Sequence, residues 1–231
     1  MPRPPRADEA GGLYHALNRA NGRATIFRKQ ADFAAFERIL AEGLERYAVQ
    51  LFAYQLMPNH WHIVLRPEQD GQMSQFVRWV TATHTMRYHA HYHTSGQGHV
   101  YQGRFKSFPI QEDGHFLAVC RYVERNALRA GLVERAEDWR WGSLSMWLEP
   151  TEPMLLSAWP IPRLPRWTER VNEPLTDREL RDIRHSVQRG RPFGTGRWLD
   201  RCVERLQLAS TLRPRGRPRV RPIPSEPIKE S

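Results

Sequence analysis

Cysteine is almost absent from this 231-residue chain: Cys120 and Cys202 stand far apart and in no metal-ligand spacing. That argues against a disulfide framework or a cysteine-held metal, and a reducing cytoplasm is the expected setting. Cys120, in an apolar helical stretch, reads as a small core residue. Long apolar runs are missing too. No stretch reaches the roughly 18 residues a membrane-spanning helix needs, and the opening MPRPPRADEAGG lacks the apolar segment of a signal peptide. Lysine occurs only at Lys29, Lys106 and Lys229. Positive charge is nevertheless abundant: 35 Lys plus Arg against 25 Asp plus Glu leave a formal charge of +10. Arginine carries nearly all of it. Such a balance points to a polyanionic partner, and arginine both forks onto phosphate oxygens and stacks on bases.

Hydrophobic periodicity sets out the organisation. Residues 13–18 (LYHALN) alternate as a first strand. Phe33, Phe36, Ile39, Leu40 and Leu44 recur at three- and four-residue steps, which predicts a helix over 31–47. Residues 50–56 and 60–66 read as strands joined by the turn chemistry of Met57-Pro58-Asn59. A second helix fits 72–93, with Phe76, Val77, Val80 and Met86 on its buried side. Residues 104–111 (RFKSFPIQ) form another strand, which Pro109 moves towards a sheet edge. A third helix over 114–130 closes at Gly131, a C-cap position. The order β-α-β-β-α-β-α predicts an α+β domain over 1–147: an antiparallel sheet with helices packed on one face. Prolines at 150, 153, 160, 162, 165 and 174 mark 148–175 as a linker. Thr176 and Glu179 form a capping box that opens a helical accessory segment over 176–212, a candidate DNA-binding module. The final stretch, 213–231, is too basic and proline-rich to fold alone, and is expected to be a disordered tail.

Two constellations carry chemistry. His60-Trp61-His62 falls in a strand, where residues i and i+2 share a face. Both imidazoles can therefore bind one divalent ion while Trp61 turns into the core. Imidazole suits zinc, manganese or iron, and magnesium asks for oxygen ligands as well. Tyr122 and Asn126 stand four apart on the third helix, hence on one face of it, with Arg121, Arg125 and Arg129 on a different stripe. Each pair alone has an ordinary explanation, since a tyrosine on an amphipathic helix is commonly a core residue. Together they compose a reaction. A tyrosine hydroxyl can attack a phosphodiester, but with a pKa of about 10 it is a weak nucleophile at neutral pH. A metal polarising the scissile phosphate supplies the missing activation.

These strings resemble a known family. MPNHWHIVL (57–65) looks like the strand signature of the HUH nucleases, and RYVERNALRAGLV (121–133) looks like the tyrosine helix of the single-tyrosine transposases. YHALNRANGRATIF (14–27), VYQGRFKSFPIQ (100–111) and DWRWGSL (138–144) extend the likeness over roughly residues 12–147. The closest resemblance is to the REP-associated tyrosine transposases. It implies a ferredoxin-like, RRM-like sheet, with His60 and His62 as metal ligands and Asn126 as the third, amide ligand. Tyr122 would be the nucleophile that leaves a 5′-phosphotyrosine and a free 3′-hydroxyl. It implies magnesium or manganese as cofactor and single-stranded or hairpin DNA as partner. Two positions depart from the family pattern: Ala127 stands where proline is common, and Trp61 is bulky for its place. Neither removes a catalytic group.

Further contacts to DNA are expected from Arg104 and Lys106, which share one strand face, and from Asn18 and Arg19 at the end of the first strand. The histidines at 84, 89, 91, 93 and 99 follow no ligand spacing. Trp139, Trp141 and Trp147 could stack on unpaired bases, with packing the better account of at least two. In the tail, Arg215, Arg217 and Arg219 resemble an AT-hook laid into a narrow minor groove. The protein is expected in the cytoplasm beside the nucleoid, as monomer or homodimer. Two other readings stay open on the residues alone: a non-catalytic hairpin DNA- or RNA-binding module, and a zinc hydrolase built on His60 and His62. Deleting residues 213–231 is expected to weaken DNA binding and flatten its salt dependence; an unaltered salt slope would show that the tail is idle.

Overall fold

Strand β1 (Leu13–Arg19) leads into helix α1 (Gln30–Arg46), then the hairpin β2 (Val49–Met57) and β3 (His60–Pro67), helix α2 (Gln72–Tyr92), strand β4 (Lys106–Ile110) and helix α3 (Gly114–Glu124). This is the order the periodicity predicted. The structure is a computed structural model and describes residues 6–213; Arg215, Arg217 and Arg219 lie outside the described residues. Met57 pairs with His60, so the hairpin turns on Pro58 and Asn59. All pairings are antiparallel, in the order β2-β3-β1-β4. β4 is thus an edge strand, where Pro109 costs no ladder bond to a further strand.

The expected α+β antiparallel sheet is present, but its helices cover both faces. Tyr14, Ala16, Trp61, Ile63 and Leu65 pack with Phe36, Ile39 and Leu40 of α1 and Phe76, Val77 and Val80 of α2. The opposite side chains, Leu13, Val64, Phe108 and Ile110, pack with Phe116, Val119 and Val123 of α3. A sheet whose strands are apolar on both sides needs two covers, and the near-continuous burial of β1, β2 and β3 is that signal. A register shift at Leu51/Ala53 bulges β2, so that neighbours Phe52 and Ala53 both enter the second core. In the first core, Trp61 Nε1 donates to Tyr101 Oη (3.1 Å), which donates on to His84 Nδ1 (2.7 Å). That chain absorbs the most buried member of the histidine cluster. Trp139 and Trp141 pack on Phe33.

Proline-rich residues 148–175 do not hang as a spacer. Ser157 N donates to Leu51 O (2.7 Å) and Trp159 Nε1 to Phe52 O (2.8 Å), which covers the β2 edge. Tryptophans set among the prolines supply the apolar anchors that a free linker lacks. Helix α4 (Asn126–Arg129) follows α3 after a one-residue break at Arg125, and α5 (Ser143–Leu148) and α6 (Trp167–Asn172) come next. Trp167 of α6 is buried and donates to Glu124 Oε2 (2.7 Å), while Ser143 Oγ donates to Glu124 Oε1 (2.8 Å). Helix α7 (Asp177–Arg189) starts at the Thr176–Glu179 capping box and stops at Gly190, which takes a left-handed φ of 70°. Helix α8 (Gly196–Arg205) completes the segment. Between α7 and α8, Phe193 bonds to both Pro109 O and Gln111 N, covering the β4 edge. No helix of the described residues is long and apolar enough to cross a membrane.

Because Trp167 joins the tyrosine helix to the C-terminal half, Trp167→Ala is expected to destabilise the whole protein by about 3–5 kcal/mol. Urea unfolding measures it. A loss below about 1 kcal/mol would mean that residues 148–175 do behave as an independent linker.

Candidate active site in a basic cleft

β3 points His60 and His62 to the face covered by α3, while Trp61 goes to the other core. Their ring centroids are 5.0 Å apart. Tyr122, on the last turn of α3, meets the His62 ring edge-on at 5.9 Å. The two sequence motifs, 60 residues apart in the chain, therefore converge on one spot of the sheet. The phenol is 5% exposed, and Tyr122 lines a cleft of about 870 Å³.

Burial and local hydrogen bonds decide what the imidazoles can do. Asn59 Nδ2 donates to Arg23 O, which fixes the amide so that its Oδ1 faces His60 Nδ1 at 2.6 Å. An amide oxygen only accepts, so His60 carries its proton on Nδ1 and keeps the Nε2 lone pair. Burial, with Arg19 and Arg129 nearby, lowers the His60 pKa to about 4. His62 is pushed well below its ordinary value by burial first, then by His60, His15 and the same arginines. Both rings are neutral at neutral pH, the form that ligates a metal.

The residue that sequence reasoning missed is His15 of β1. Its Nε2 lies 2.9 Å from His62 Nδ1, the rings are stacked at 5.1 Å, and burial lowers its pKa to about 3. In the arrangement that frees His62 Nε2, His62 Nδ1–H donates to His15 Nε2. A ligand histidine held through its other nitrogen is the usual second layer of a metal site. The alternating LYHALN pattern placed His15 on a strand, but the diagonal contact to His62 depends on the β1–β3 register, Val64 opposite His15.

Asn126 is buried just beyond Arg125, where α3 ends; its Nδ2 has no partner and its Oδ1 accepts from Arg129 Nη2 at 2.7 Å. The predicted single helix over 114–130 is thus two pieces. Arg129 is not on a separate stripe either: its guanidinium lies 4.7 Å from the Tyr122 ring centroid, so one arginine touches both residues. A carbonyl oxygen has a second lone pair. The two Nε2 atoms and this amide oxygen are the donors that could hold a divalent ion, and among the described residues no group of three His, Cys, Asp or Glu offers an alternative. A site this poor in protein oxygen leaves coordination positions for phosphate oxygens and water.

Arg19, directly opposite His60 in the β1–β3 ladder, lines the cleft, as do Arg104 and Lys106. Arg104 precedes β4 rather than lying within it, yet both basic side chains are exposed and Phe105 between them is buried. Asn18 also borders the cleft, but its side chain is engaged: Nδ2 donates to Gly103 O and Oδ1 accepts from Arg19 N. Arg6, Arg129 and Arg184 bring the cationic lining residues to six, and no Asp or Glu is among the lining residues.

The sequence profile of the family described as "Transposase IS200 like" matches residues 10–126, half of the chain and all four motif residues. The chain belongs to the IS200-like transposase family. Its members are DNA-cleaving enzymes, and this chain is one of them. The fold is similar to a REP-associated tyrosine transposase solved bound to a REP hairpin, with a TM-score of 0.54 and 19% identity over 68% of this chain and 92% of that one. A structure from Deinococcus radiodurans assigned as a transposase aligns at a TM-score of 0.38 and 16% identity, over 54% of this chain and 95% of that one, too remote to carry an argument. No curated protein matches the sequence.

The His15–His62 contact makes a direct expectation. His15→Leu should weaken Mn²⁺ binding about 10–100-fold in isothermal titration, with far-UV circular dichroism unchanged. His15→Gln, whose amide oxygen can accept from His62 Nδ1–H, should recover most of it. An unchanged Kd in His15→Leu would show that the ring does not orient His62.

Proposed function

We propose that this IS200-like transposase cuts and rejoins single-stranded DNA beside hairpin-forming palindromes, with Tyr122 as nucleophile. The observation that carries the reading is the edge-on contact of buried His62 with Tyr122, which itself lines a cleft that carries cations and no carboxylate. A divalent ion, magnesium or manganese, held by His60, His62 and Asn126 would polarise the scissile phosphate.

The remaining chemistry belongs to the protein's own side chains. Arg19, Arg104 and Lys106 hold phosphates of the incoming strand, as oriented charge-assisted donors do. Tyr122 Oη attacks phosphorus; the Oη–P bond forms, the P–O3′ bond breaks, and the 3′-oxygen leaves as a hydroxyl. The phenol gives up its proton in this step. Arg129, over the ring, favours the negative charge that develops on the phenol oxygen and fixes the ring's direction. Attack of a second 3′-hydroxyl on the phosphotyrosine reverses the bond changes and joins a new strand. Neutral His15 buried beneath His62 holds that ring in place throughout. The similar fold solved on a REP hairpin and the positive cleft both support a folded single strand as substrate.

Covalent trapping on hairpin oligonucleotides with manganese tests the reading. An adduct on a denaturing gel is expected for the natural protein and none for Tyr122→Phe or His60→Ala, while Tyr122→Phe keeps hairpin binding. An adduct formed in EDTA would sink the metal assignment. Tight binding with no adduct on any hairpin would make this a binding module.

A further inference from the structure

Helix α7 lies outside the family match, which ends at residue 126, yet it borders the same cleft as Tyr122. Its side chains divide between two hollows. Glu179 and Asp182 line one of them, together with Arg178 and His185 of the same helix and with Asp113 and His115. Arg184 and Gln188, four apart and so on one stripe, face the tyrosine cleft. Both are exposed, and among the described residues neither bonds to another protein group.

This face is held rigidly. Ile183 is fully buried in the second core, with Leu180 and Val187 packed beside it. Gly190 closes the helix in a left-handed conformation close to the β4 backbone: a Cβ there would stand 3.4 Å from Ser107 O. Phe193 then bonds to β4 through Pro109 O and Gln111 N. The helix backbone that carries Arg184 is therefore fixed beside the cleft that Arg104 and Lys106 also line, by contacts that do not depend on DNA.

We propose that α7 is a second wall of the DNA path: Arg184 binds a backbone phosphate of the strand and Gln188 a neighbouring phosphate or sugar oxygen, in the cleft that Arg104 and Lys106 also line. The inference rests on the proposed function for the identity of the partner. Its content is separate, since it assigns the C-terminal segment a grip on the strand entering the site. Backbone contacts from arginine and amide side chains set register without reading sequence.

Binding of oligo(dT) and of a stem-loop with dT arms, measured by fluorescence anisotropy across salt concentrations on the full chain, tests it. Arg184→Ala should weaken binding several-fold and lower the magnitude of the salt slope by about 0.7, the value for one lost phosphate contact on a single strand. Arg184→Lys should keep the slope. Arg181→Ala, on the same helix but outside the cleft, should change neither quantity. An unchanged slope in Arg184→Ala, or an equal loss in Arg181→Ala, would overturn the proposal. A Tyr122-dependent adduct is scored in parallel: its absence with the Arg184 effect intact would sink the cleavage reading and still support α7 as a DNA wall.

Discussion

Everything at this site depends on one packing contact, the seating of α3 on the face of the sheet opposite α1 and α2. Phe116, Val119 and Val123 press α3 against Val64 and Phe108, and that contact brings Tyr122 to His62. Had the helix lain on the face taken by α1 and α2, the tyrosine and the histidines would be separated by the sheet. The buried Glu124 strengthens the seating, since its two oxygens accept from Ser143 and Trp167. Burial raises the pKa of that carboxyl, and satisfied hydrogen bonds are what make such a group tolerable in a core. The C-terminal half is thus tied to the same helix that carries Tyr122.

A second theme is the division between neutral buried histidines and a charged cleft beside them. Burial lowers the pKa of His15, His60 and His62, so three imidazoles remain uncharged beside arginines. Neutral imidazoles keep lone pairs for a cation. The arginines and Lys106 stay at the cleft walls, where a polyanion can reach them. Arg129 bridges the two zones, touching the Tyr122 ring and the Asn126 amide at once.

Much of this was legible in local pattern. Period-two and period-3.6 signals placed the first seven elements, Pro109 marked the edge strand, and the spacing of His60 and His62 put them on one face. What failed was reading distance in space. Helices on both faces follow from strands apolar on both sides, but LYHALN looks like loose alternation until its polar members are seen buried. His15 became visible only through the β1–β3 register. Arg129 was read as belonging to another stripe by grouping it with Arg121 and Arg125, although it stands seven residues after Tyr122, two helical turns that return to the same face. The proline-rich stretch has linker composition, yet Trp159 and Trp167 within it fill core positions; composition averages over the two residues that matter.

The most direct test of the account is where a divalent ion binds. Crystals soaked in manganese and measured at a wavelength where it scatters anomalously would locate it without reference to activity. The account predicts a single strong peak between the Nε2 atoms of His60 and His62, bordered by the Asn126 amide oxygen and facing Tyr122. A peak elsewhere in the protein, or none at saturating manganese, would contradict a metal-activated tyrosine at this face of the sheet.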